Sequence, residues 1–367
     1  MSKLNELAKL GQSVWLDFIS RKLLTSGELI KLRDNGLRGM TSNPTIFDKA
    51  ISKGTDYDED IKELVSKGLS VEEIFEKLAL KDIGIAADEM RQVYNDTDGL
   101  DGYISIEVNP LLANNTKETI AQAKHLFKAL GRPNIMIKIP GTEEGLPAIT
   151  EVLGSGINVN VTLIFSTESY RKVVEAFMAG LEKYDADGGD ISRHASVASF
   201  FVSRVDSAVD KELEAKGNKD LLGKIAVANS KIAFEISEEM FNSERWEALA
   251  EKGARKQRLL WASTSTKNPN YSDVLYIDEL IGPDTVNTMP PDTIDAFIDH
   301  GKVNLTLNKG IDEAKAHLKK LKDLGIDINK ITDKLLVDGV KSFSDSFESL
   351  LGSLNEKVKK IKQEVNV

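Results

Sequence analysis

The amino-acid sequence predicts an α/β protein built as a single (β/α)8 barrel, with additional helices at the N- and C-termini. Short apolar segments alternate along the chain with longer stretches of helical period, which is the pattern of repeated βα units around a parallel sheet. The chain has 367 residues, whereas a typical barrel of this kind has roughly 250. The additional residues are long enough to form extra helices. Because no Gly/Ser-rich or Pro-rich linker interrupts the sequence, residues 1–367 are expected to form one domain.

The apolar segments locate eight strands. In chain order they are residues 14–18, 36–41, 103–108, 135–139, 158–165, 196–202, 259–263 and 285–288. Between them, windows such as 70–95 and 117–130 repeat apolar residues with the period of a helix. Residues 331–364 are predicted to form one long or broken helix, a C-terminal extension that packs on the barrel through its apolar stripe.

Composition excludes several classes of function. The 48 Lys and Arg against 58 Asp and Glu give a net charge of -10, which argues against nucleic acid as the partner. The absence of cysteine and the scattering of four histidines predict no metal site. The N-terminus lacks the apolar core of a signal peptide, and no apolar run reaches the roughly 18 residues that span a bilayer, so a cytoplasmic protein without membrane contact is expected.

Polar residues near the ends of several predicted strands share one face. Side chains alternate along a strand, so polar residues of the same parity within an apolar run point in the same direction. The C-terminal mouth of a barrel is where catalytic groups gather. A turn or helix-capping role is an alternative for each residue alone, but six from different strands favour a common site. These six residues are Asp17, Asn43, Glu107, Lys138, Asn160 and Ser199.

Lys138 is the most informative of these residues because it lies between Ile137 and Ile139 in an apolar strand. Its side chain must either reach out at an edge or be desolvated inside the barrel. Burial disfavours the ammonium ion, and the neutral amine is a nucleophile suited to Schiff-base formation. Asp17 and Glu107 would then be available for proton transfer. The alternative is a structural lysine that pairs with a carboxylate inside the barrel.

Several segments of the sequence resemble those of transaldolases, most closely the longer bacterial forms. The similarity extends from about Asp17 to the C-terminal helix, and its clearest segments are residues 39–47, 137–140, 160–166, 199–204 and 260–264. The resemblance implies a class I aldolase-type barrel that needs no cofactor. It also implies transfer of a dihydroxyacetone unit from sedoheptulose 7-phosphate or fructose 6-phosphate to glyceraldehyde 3-phosphate or erythrose 4-phosphate, in the pentose phosphate pathway.

The resemblance also implies roles for individual residues. Lys138 corresponds to the Schiff-base lysine and Asp17 to the acid/base of carbon–carbon cleavage. Glu107 corresponds to the carboxylate that acts through a water molecule, which Thr162 helps to hold. Asn43 and Asn160 match the asparagines that bind the dihydroxyacetone unit, and Ser199 matches a nearby hydroxyl contact. The full set of implied substrate-binding residues is Thr41, Asn43, Asn160, Ser199, Arg204, Ser263 and Lys267.

The sequence departs from many transaldolases at the phosphate end of this site. Arg204 and Ser263 match the residues that bind phosphate, but Ser265 stands where many members carry an arginine. Lys267 follows two residues later, so phosphate binding is expected to depend on Arg204 and Lys267. A lysine provides a point charge and lacks the two-pronged hydrogen bonding of arginine.

Two other functions remain open. A fructose-6-phosphate aldolase would use the same lysine but release free dihydroxyacetone, although those relatives are much shorter chains. A barrel that binds sugar phosphates without catalysis is the second alternative, and the matching parity of Lys138, Asp17 and Glu107 argues against it. The expected partners are small sugar phosphates, and the protein is expected to be a monomer or a homodimer.

Overall fold

The computed structural model describes residues 2–52 and 54–365, which fold into a closed barrel of eight parallel strands. Each strand pairs with the next along the chain, and β8 pairs with β1 to close the barrel. The strands are β1 (Gln12–Asp17), β2 (Gly39–Thr41), β3 (Tyr103–Glu107), β4 (Ile135–Pro140), β5 (Val159–Ile164), β6 (Ser196–Phe201), β7 (Arg258–Ala262) and β8 (Thr285–Met289). The predicted (β/α)8 barrel is therefore confirmed.

Helices surround the barrel and extend beyond it at both ends of the chain. The first nine are α1 (Lys3–Lys9), α2 (Arg21–Thr25), α3 (Glu28–Asp34), α4 (Pro44–Ser52), α5 (Asp58–Ser66), α6 (Val71–Glu89), α7 (Arg91–Asp96), α8 (Thr116–Leu130) and α9 (Gly145–Leu153). They are followed by α10 (Thr167–Ala186), α11 (Ser203–Ala215), α12 (Ile225–Met240), α13 (Glu244–Ala250), α14 (Leu275–Glu279), α15 (Pro291–His300), α16 (Ile311–Asp323) and α17 (Ile328–Val365). Short 3-10 helices cover Pro110–Leu112 and Ile191–Arg193. No helix within the described residues combines the length and apolar composition needed to cross a membrane.

Strand β2 begins three residues later than predicted. Gly36 has a φ of 108° and lies so close to the chain at Asn5 that a Cβ atom would be 2.9 Å from the Asn5 nitrogen. A residue with a side chain rarely adopts this conformation, so the glycine permits a tight turn against α1 before the strand starts. The predicted helical window 70–95 likewise becomes two helices, since α6 ends at Glu89, Met90 caps it, and α7 begins at Arg91.

Strand β5 is interrupted near its C-terminal end. Its register with β6 shifts between Val161 and Ile164, and Leu163 adopts a φ of 60°. The alternation of inward and outward side chains is therefore broken directly after Thr162. Helix α17 approaches β5 at this point, and a Cβ atom added to Gly339 would lie 3.0 Å from Leu163 Cδ2.

A buried ion pair closes the N-terminal end of the barrel. Arg258, the first residue of β7, donates a 2.8 Å hydrogen bond to Asp101 Oδ1 and a 2.9 Å bond to Ser13 Oγ. Ser13 in turn donates to Asp101 Oδ2 at 2.7 Å. Arg258 and Asp101 are 7% and 4% exposed. Because each charge is desolvated, each depends on the other for compensation.

Helix α17 lies across the opposite, C-terminal end of the barrel. It contacts α4, α5, α6, α11 and β5. Thr45 of α4 donates a 2.9 Å hydrogen bond to Ser346, and Ser349 donates a 3.2 Å bond to Asp48. Phe347, in the same turn of α17, makes a T-shaped contact with Phe75 of α6. The C-terminal mouth is thus covered by a helix that is anchored on its outer side.

Substitution of Asp101 tests the ion pair at the barrel floor. Asp101→Ala leaves the Arg258 guanidinium buried without its counter-charge, so we expect a loss of about 3–5 kcal/mol in the free energy of unfolding. Asp345→Ala, which breaks an exposed pair with Lys341 in α17, serves as the matched control and should cost about 1 kcal/mol or less. Urea unfolding measures both variants, and equal losses would contradict the role given to Asp101.

Candidate active site

A cavity of about 380 Å³ opens at the C-terminal mouth of the barrel. It lies between the ends of the strands and helix α17, which contributes Phe343. The mouth is the usual position of the active site in this fold because the loops after the strands meet there. The site residues predicted from the sequence that line the cavity are Asp17, Thr41, Asn43, Lys138, Thr162, Ser199, Arg204, Ser263 and Lys267.

Three polar residues form a row across adjacent strands beside this cavity. The register pairs Glu107 of β3 with Lys138 of β4, and Lys138 with Asn160 of β5. Paired residues of a parallel sheet project from the same face, so the three side chains are neighbours inside the barrel. Lys138 is 5% exposed. Its Nζ atom donates a 3.2 Å hydrogen bond to the Ser42 carbonyl and lies 3.8 Å from Glu107 Oε2.

Glu107 is the second buried charge of the row, with a side chain 7% exposed. Burial raises its pKa to about 7, the positive charge of Lys138 opposes this shift, and the negative charge of Asp17 adds to it. Its Oε2 atom and Thr162 Oγ1 are both buried without a hydrogen-bond partner among the described residues. Both oxygens therefore keep hydrogen-bonding capacity for a ligand, at a group able to exchange a proton near neutral pH.

Asn160 lies beneath the cavity and does not line it. The residue is 0% exposed. Its Nδ2 atom donates to Ser105 Oγ at 3.0 Å, and its Oδ1 atom accepts from Ser199 Oγ at 2.7 Å. An amide has a second hydrogen and a second acceptor site. The contacts fix the orientation of Asn160 while Ser199 reaches the cavity surface.

Asp17 occupies the wall of the cavity formed by β1. Its Oδ1 atom accepts a 2.7 Å hydrogen bond from Thr41 Oγ1, and Thr41 lies 2.8 Å from Thr288 Oγ1 of β8. These contacts hold the carboxylate at the end of its strand, three strands away from Lys138 around the barrel. A base on one wall and an amine on another can therefore act on the same bound molecule.

Cationic side chains line the outer part of the cavity. Arg204 is in the first turn of α11. Its Cζ atom lies 5.2 Å from the centroid of the Phe201 ring and 5.9 Å from that of Phe343. Burial lowers the pKa of Arg204, which Asp17 partly opposes. Lys267 donates a 2.6 Å hydrogen bond to Ser265 Oγ. The lysine side chain thus turns back toward the position where an arginine was expected from the resemblance.

Ser263 joins strand β7 to this cationic region. It has a φ of 55°, an uncommon conformation for serine, and its Oγ atom lies 3.0 Å from Ser203 Oγ. The Ser203 nitrogen also donates to the Ser263 carbonyl at 3.0 Å. The N-terminus of α11, which begins at Ser203, is therefore held beside Ser263 and Arg204. Such a helix end favours anions because its amide groups point outward.

The structure adds residues that the sequence analysis did not assign to the site. Phe343 covers the site, with its ring 5.8 Å from Lys138 Nζ. The apolar stripe on the C-terminal helix predicts that the helix packs on the barrel, but it does not show which residue lines the cavity. Lys49 of α4 also lines the cavity, as do Thr45 and Ile46. The spacing i, i+1 and i+4 places these three residues on one helical face, a signal that the sequence contained.

A closed parallel barrel that gathers a buried lysine, two carboxylates and cations at its C-terminal mouth defines an enzyme of the (β/α)8 class. Residues 14–354 match the model of the family described as Transaldolase/Fructose-6-phosphate aldolase. The chain belongs to this family. Within the described residues, no group of three or more acidic or histidine side chains is placed to hold a metal ion.

Relatives in several bacteria cover nearly the whole chain. A transaldolase of Trichodesmium erythraeum is 50% identical over 97% of this chain and 97% of its own length. A transaldolase of Saccharopolyspora erythraea is 48% identical over 98% of this chain and 99% of its own. A transaldolase of Thermobifida fusca is 49% identical over 95% of this chain and 96% of its own. The similarity therefore includes the long C-terminal helix as well as the barrel.

The titration of Glu107 can be tested directly. Because burial raises its pKa from the ordinary 4.5 to about 7, its carboxyl C=O stretch should disappear near pH 7 in infrared difference spectra, and Glu107→Gln should lack this transition. In the unfolded chain, Glu107 loses its proton at a lower pH, near the ordinary pKa of 4.5. The free energy of unfolding of the wild type should therefore fall relative to Glu107→Gln as pH rises from about 4.5 to about 7. A transition near 4.5 would contradict the assignment.

Proposed function

We propose that the protein is a transaldolase that carries a dihydroxyacetone unit on Lys138. The donors would be sedoheptulose 7-phosphate or fructose 6-phosphate, and the acceptors glyceraldehyde 3-phosphate or erythrose 4-phosphate. The observation that carries the proposal is the buried Lys138 amine at the cavity, 3.8 Å from Glu107. The transaldolase relatives, matched over nearly their full length, support the same reaction.

In the first step, Lys138 Nζ attacks the ketose carbonyl carbon and forms a carbinolamine. Loss of water then gives an iminium ion, in which the nitrogen draws electrons from the neighbouring carbon. The carbinolamine hydroxyl needs a proton to leave as water. Glu107, with a pKa of about 7, is suited to deliver this proton and to take it back during hydrolysis. Thr162 has a free buried hydroxyl in the same region for the water involved.

In the second step, Asp17 accepts the proton of the donor hydroxyl next to the bond that breaks. The electrons of that carbon–carbon bond move into the iminium, which becomes a neutral enamine on Lys138, and the aldose phosphate leaves. The acceptor aldehyde then enters, the enamine carbon attacks it, and Asp17 returns the proton to the new hydroxyl. Thr41 holds Asp17 by a 2.7 Å hydrogen bond throughout this exchange.

The remaining polar residues would bind the two ends of the substrate. Asn43, Asn160 and Ser199 would contact the dihydroxyacetone unit, with Asn160 acting through its spare hydrogen and acceptor site. Arg204, Ser263 and Lys267 would hold the phosphate beside the N-terminus of α11. In this arrangement, the lysine ammonium bonded to Ser265 Oγ supplies the second cation in place of an arginine.

The same barrel could act as an aldolase that releases free dihydroxyacetone, since the family includes both activities by its description. We favour transfer because the matched relatives are named transaldolase and share the full chain length. The alternative of a non-catalytic binding barrel is disfavoured by a cavity lined by Lys138 and Asp17, with the carboxylate of Glu107 3.8 Å from the lysine. We further expect a cytoplasmic monomer or homodimer, on the basis of the sequence.

Reductive trapping tests the covalent step. Sodium borohydride added with fructose 6-phosphate should reduce the iminium and leave a stable adduct on Lys138, which peptide mapping by mass spectrometry identifies. Lys138→Met should form no adduct and lose activity. Lys231, a lysine 7% exposed outside the active-site cavity, is the internal control and should remain unmodified. An adduct on any other lysine would contradict the mechanism.

The dependence on an acceptor separates transfer from simple cleavage. With fructose 6-phosphate alone, a transaldolase should release one equivalent of glyceraldehyde 3-phosphate per active site and then stop, because the enamine has no partner. Addition of erythrose 4-phosphate should restore continuous turnover. A coupled assay for glyceraldehyde 3-phosphate measures both phases. Sustained release of free dihydroxyacetone without acceptor would support the aldolase instead.

A further inference from the structure

Helix α4 places a third cation at the outer part of the cavity. The helix begins at Pro44, directly after Asn43, and turns Thr45, Ile46 and Lys49 toward the cavity that Arg204 and Lys267 also line. The sequence comparison with transaldolases gave Lys49 no role. Its position follows from the helical period alone, because residues four apart lie on the same face.

The cavity is strongly cationic although the protein carries a net charge of -10. Lys138 and three outer cations line it, against the single carboxylate of Asp17, and the outer cations are Lys49, Arg204 and Lys267. Partial burial lowers the pKa of Lys267, and the charges of Arg204 and Lys49 lower it further, against Asp17. Lys49 therefore lies close enough for its charge to act on Lys267.

These outer cations lack ion-pair partners among the described residues, whose salt bridges involve other side chains. Three like charges that share one lining carboxylate repel one another, and an anionic ligand relieves that repulsion. Arg204 follows β6 and Lys49 follows β2, and these strands lie opposite each other in an eight-stranded barrel. An anion between them would be held from two walls of the mouth.

The position of α4 is fixed by the C-terminal helix. The hydrogen bonds of Thr45 to Ser346 and of Ser349 to Asp48 join the two helices at positions four residues and one residue before Lys49. The same C-terminal helix carries Phe343, which lies over Arg204. Lys49 and Arg204 are thus held at the mouth by contacts to one common element.

We propose that Lys49 binds the phosphate group of the substrate, from the wall opposite Arg204, as the third cation of the phosphate site. This inference rests on the proposed function and adds a specificity residue to it. The ligand is a phosphate monoester of a sugar, which carries close to two negative charges at neutral pH. Lys49, Lys267 and Arg204 together then supply the positive charge, although Ser265 stands where many transaldolases carry an arginine.

Two acceptors that differ only in phosphate test this role. In a ping-pong reaction, kcat/KM for the acceptor does not depend on the donor. Sedoheptulose 7-phosphate can therefore serve as donor for both acceptors, because its cleavage releases erythrose 4-phosphate and each acceptor then gives a distinct product. Lys49→Met should lower kcat/KM for glyceraldehyde 3-phosphate by roughly fivefold to tenfold, since a charge-assisted contact at a partly exposed site is lost. The value for unphosphorylated glyceraldehyde should stay unchanged. Lys49→Arg should restore most of the loss.

Controls separate the possible failures. Lys211→Met removes an exposed lysine from α11, the helix that carries Arg204, and should affect neither acceptor. An equal fall with both acceptors for Lys49→Met would show a structural role and overturn the proposal, as would no change at all. If the wild type shows no transfer, the proposed function fails. Calorimetric titration with inorganic phosphate then tests Lys49 separately, and equal affinity of wild type and Lys49→Met would overturn its role.

Discussion

The register of three adjacent strands is the constraint on which the site depends. It places Glu107, Lys138 and Asn160 at the same height inside the barrel. Taking a charge out of water costs several kcal/mol, so a buried lysine and a buried carboxylate are tolerated only as neighbours. A shift of one residue in β4 would turn Lys138 outward and bring Ile137 or Ile139 inward. Closure of the barrel prevents such a shift because every strand is paired on both sides.

The C-terminal helix completes the site by covering it. Phe343 lies over Lys138 and Arg204, and Gly339 allows the helix to approach Leu163 of β5 closely. The low-dielectric cover strengthens each electrostatic interaction below it and limits the access of bulk water to Lys138. The helix also fixes α4 through its hydrogen bonds. The chain beyond the barrel proper therefore shapes both the reactive end and the outer end of the cavity.

The alternation of strand-like and helical segments was sufficient to predict the barrel. The alternation of polar and apolar residues within the strands was sufficient to assign Asp17, Lys138 and Ser199 to one face, and all three line the cavity. This succeeded because burying a polar side chain without a partner is costly, so polar residues in a strand buried on both faces mark positions with hydrogen-bond partners or a ligand. The break at Leu163 could not be predicted, since the residue with a φ of 60° is not a glycine and nothing in the sequence marks it. The same holds for Ser263. The position of Asn160 below the cavity surface depends on its bonds to Ser105 and Ser199, which spacing along the chain does not show.

When a protein of negative net charge binds an anionic sugar phosphate, the charges lining the cavity must outweigh the net charge of the whole protein. The Debye length is about 8–10 Å at physiological ionic strength, so surface carboxylates farther away are largely screened. Within the cavity, the cations outnumber the single lining carboxylate, and the low-dielectric walls concentrate their field. Glu107 would add a second negative charge beside Lys138, but with a pKa of about 7 it is protonated for part of the time at neutral pH. In that form it carries no negative charge beside Lys138, and it holds the proton that dehydration of the proposed carbinolamine would consume. In the proposed mechanism, burial of this one carboxyl group would therefore serve both the electrostatics of binding and the chemistry at Lys138.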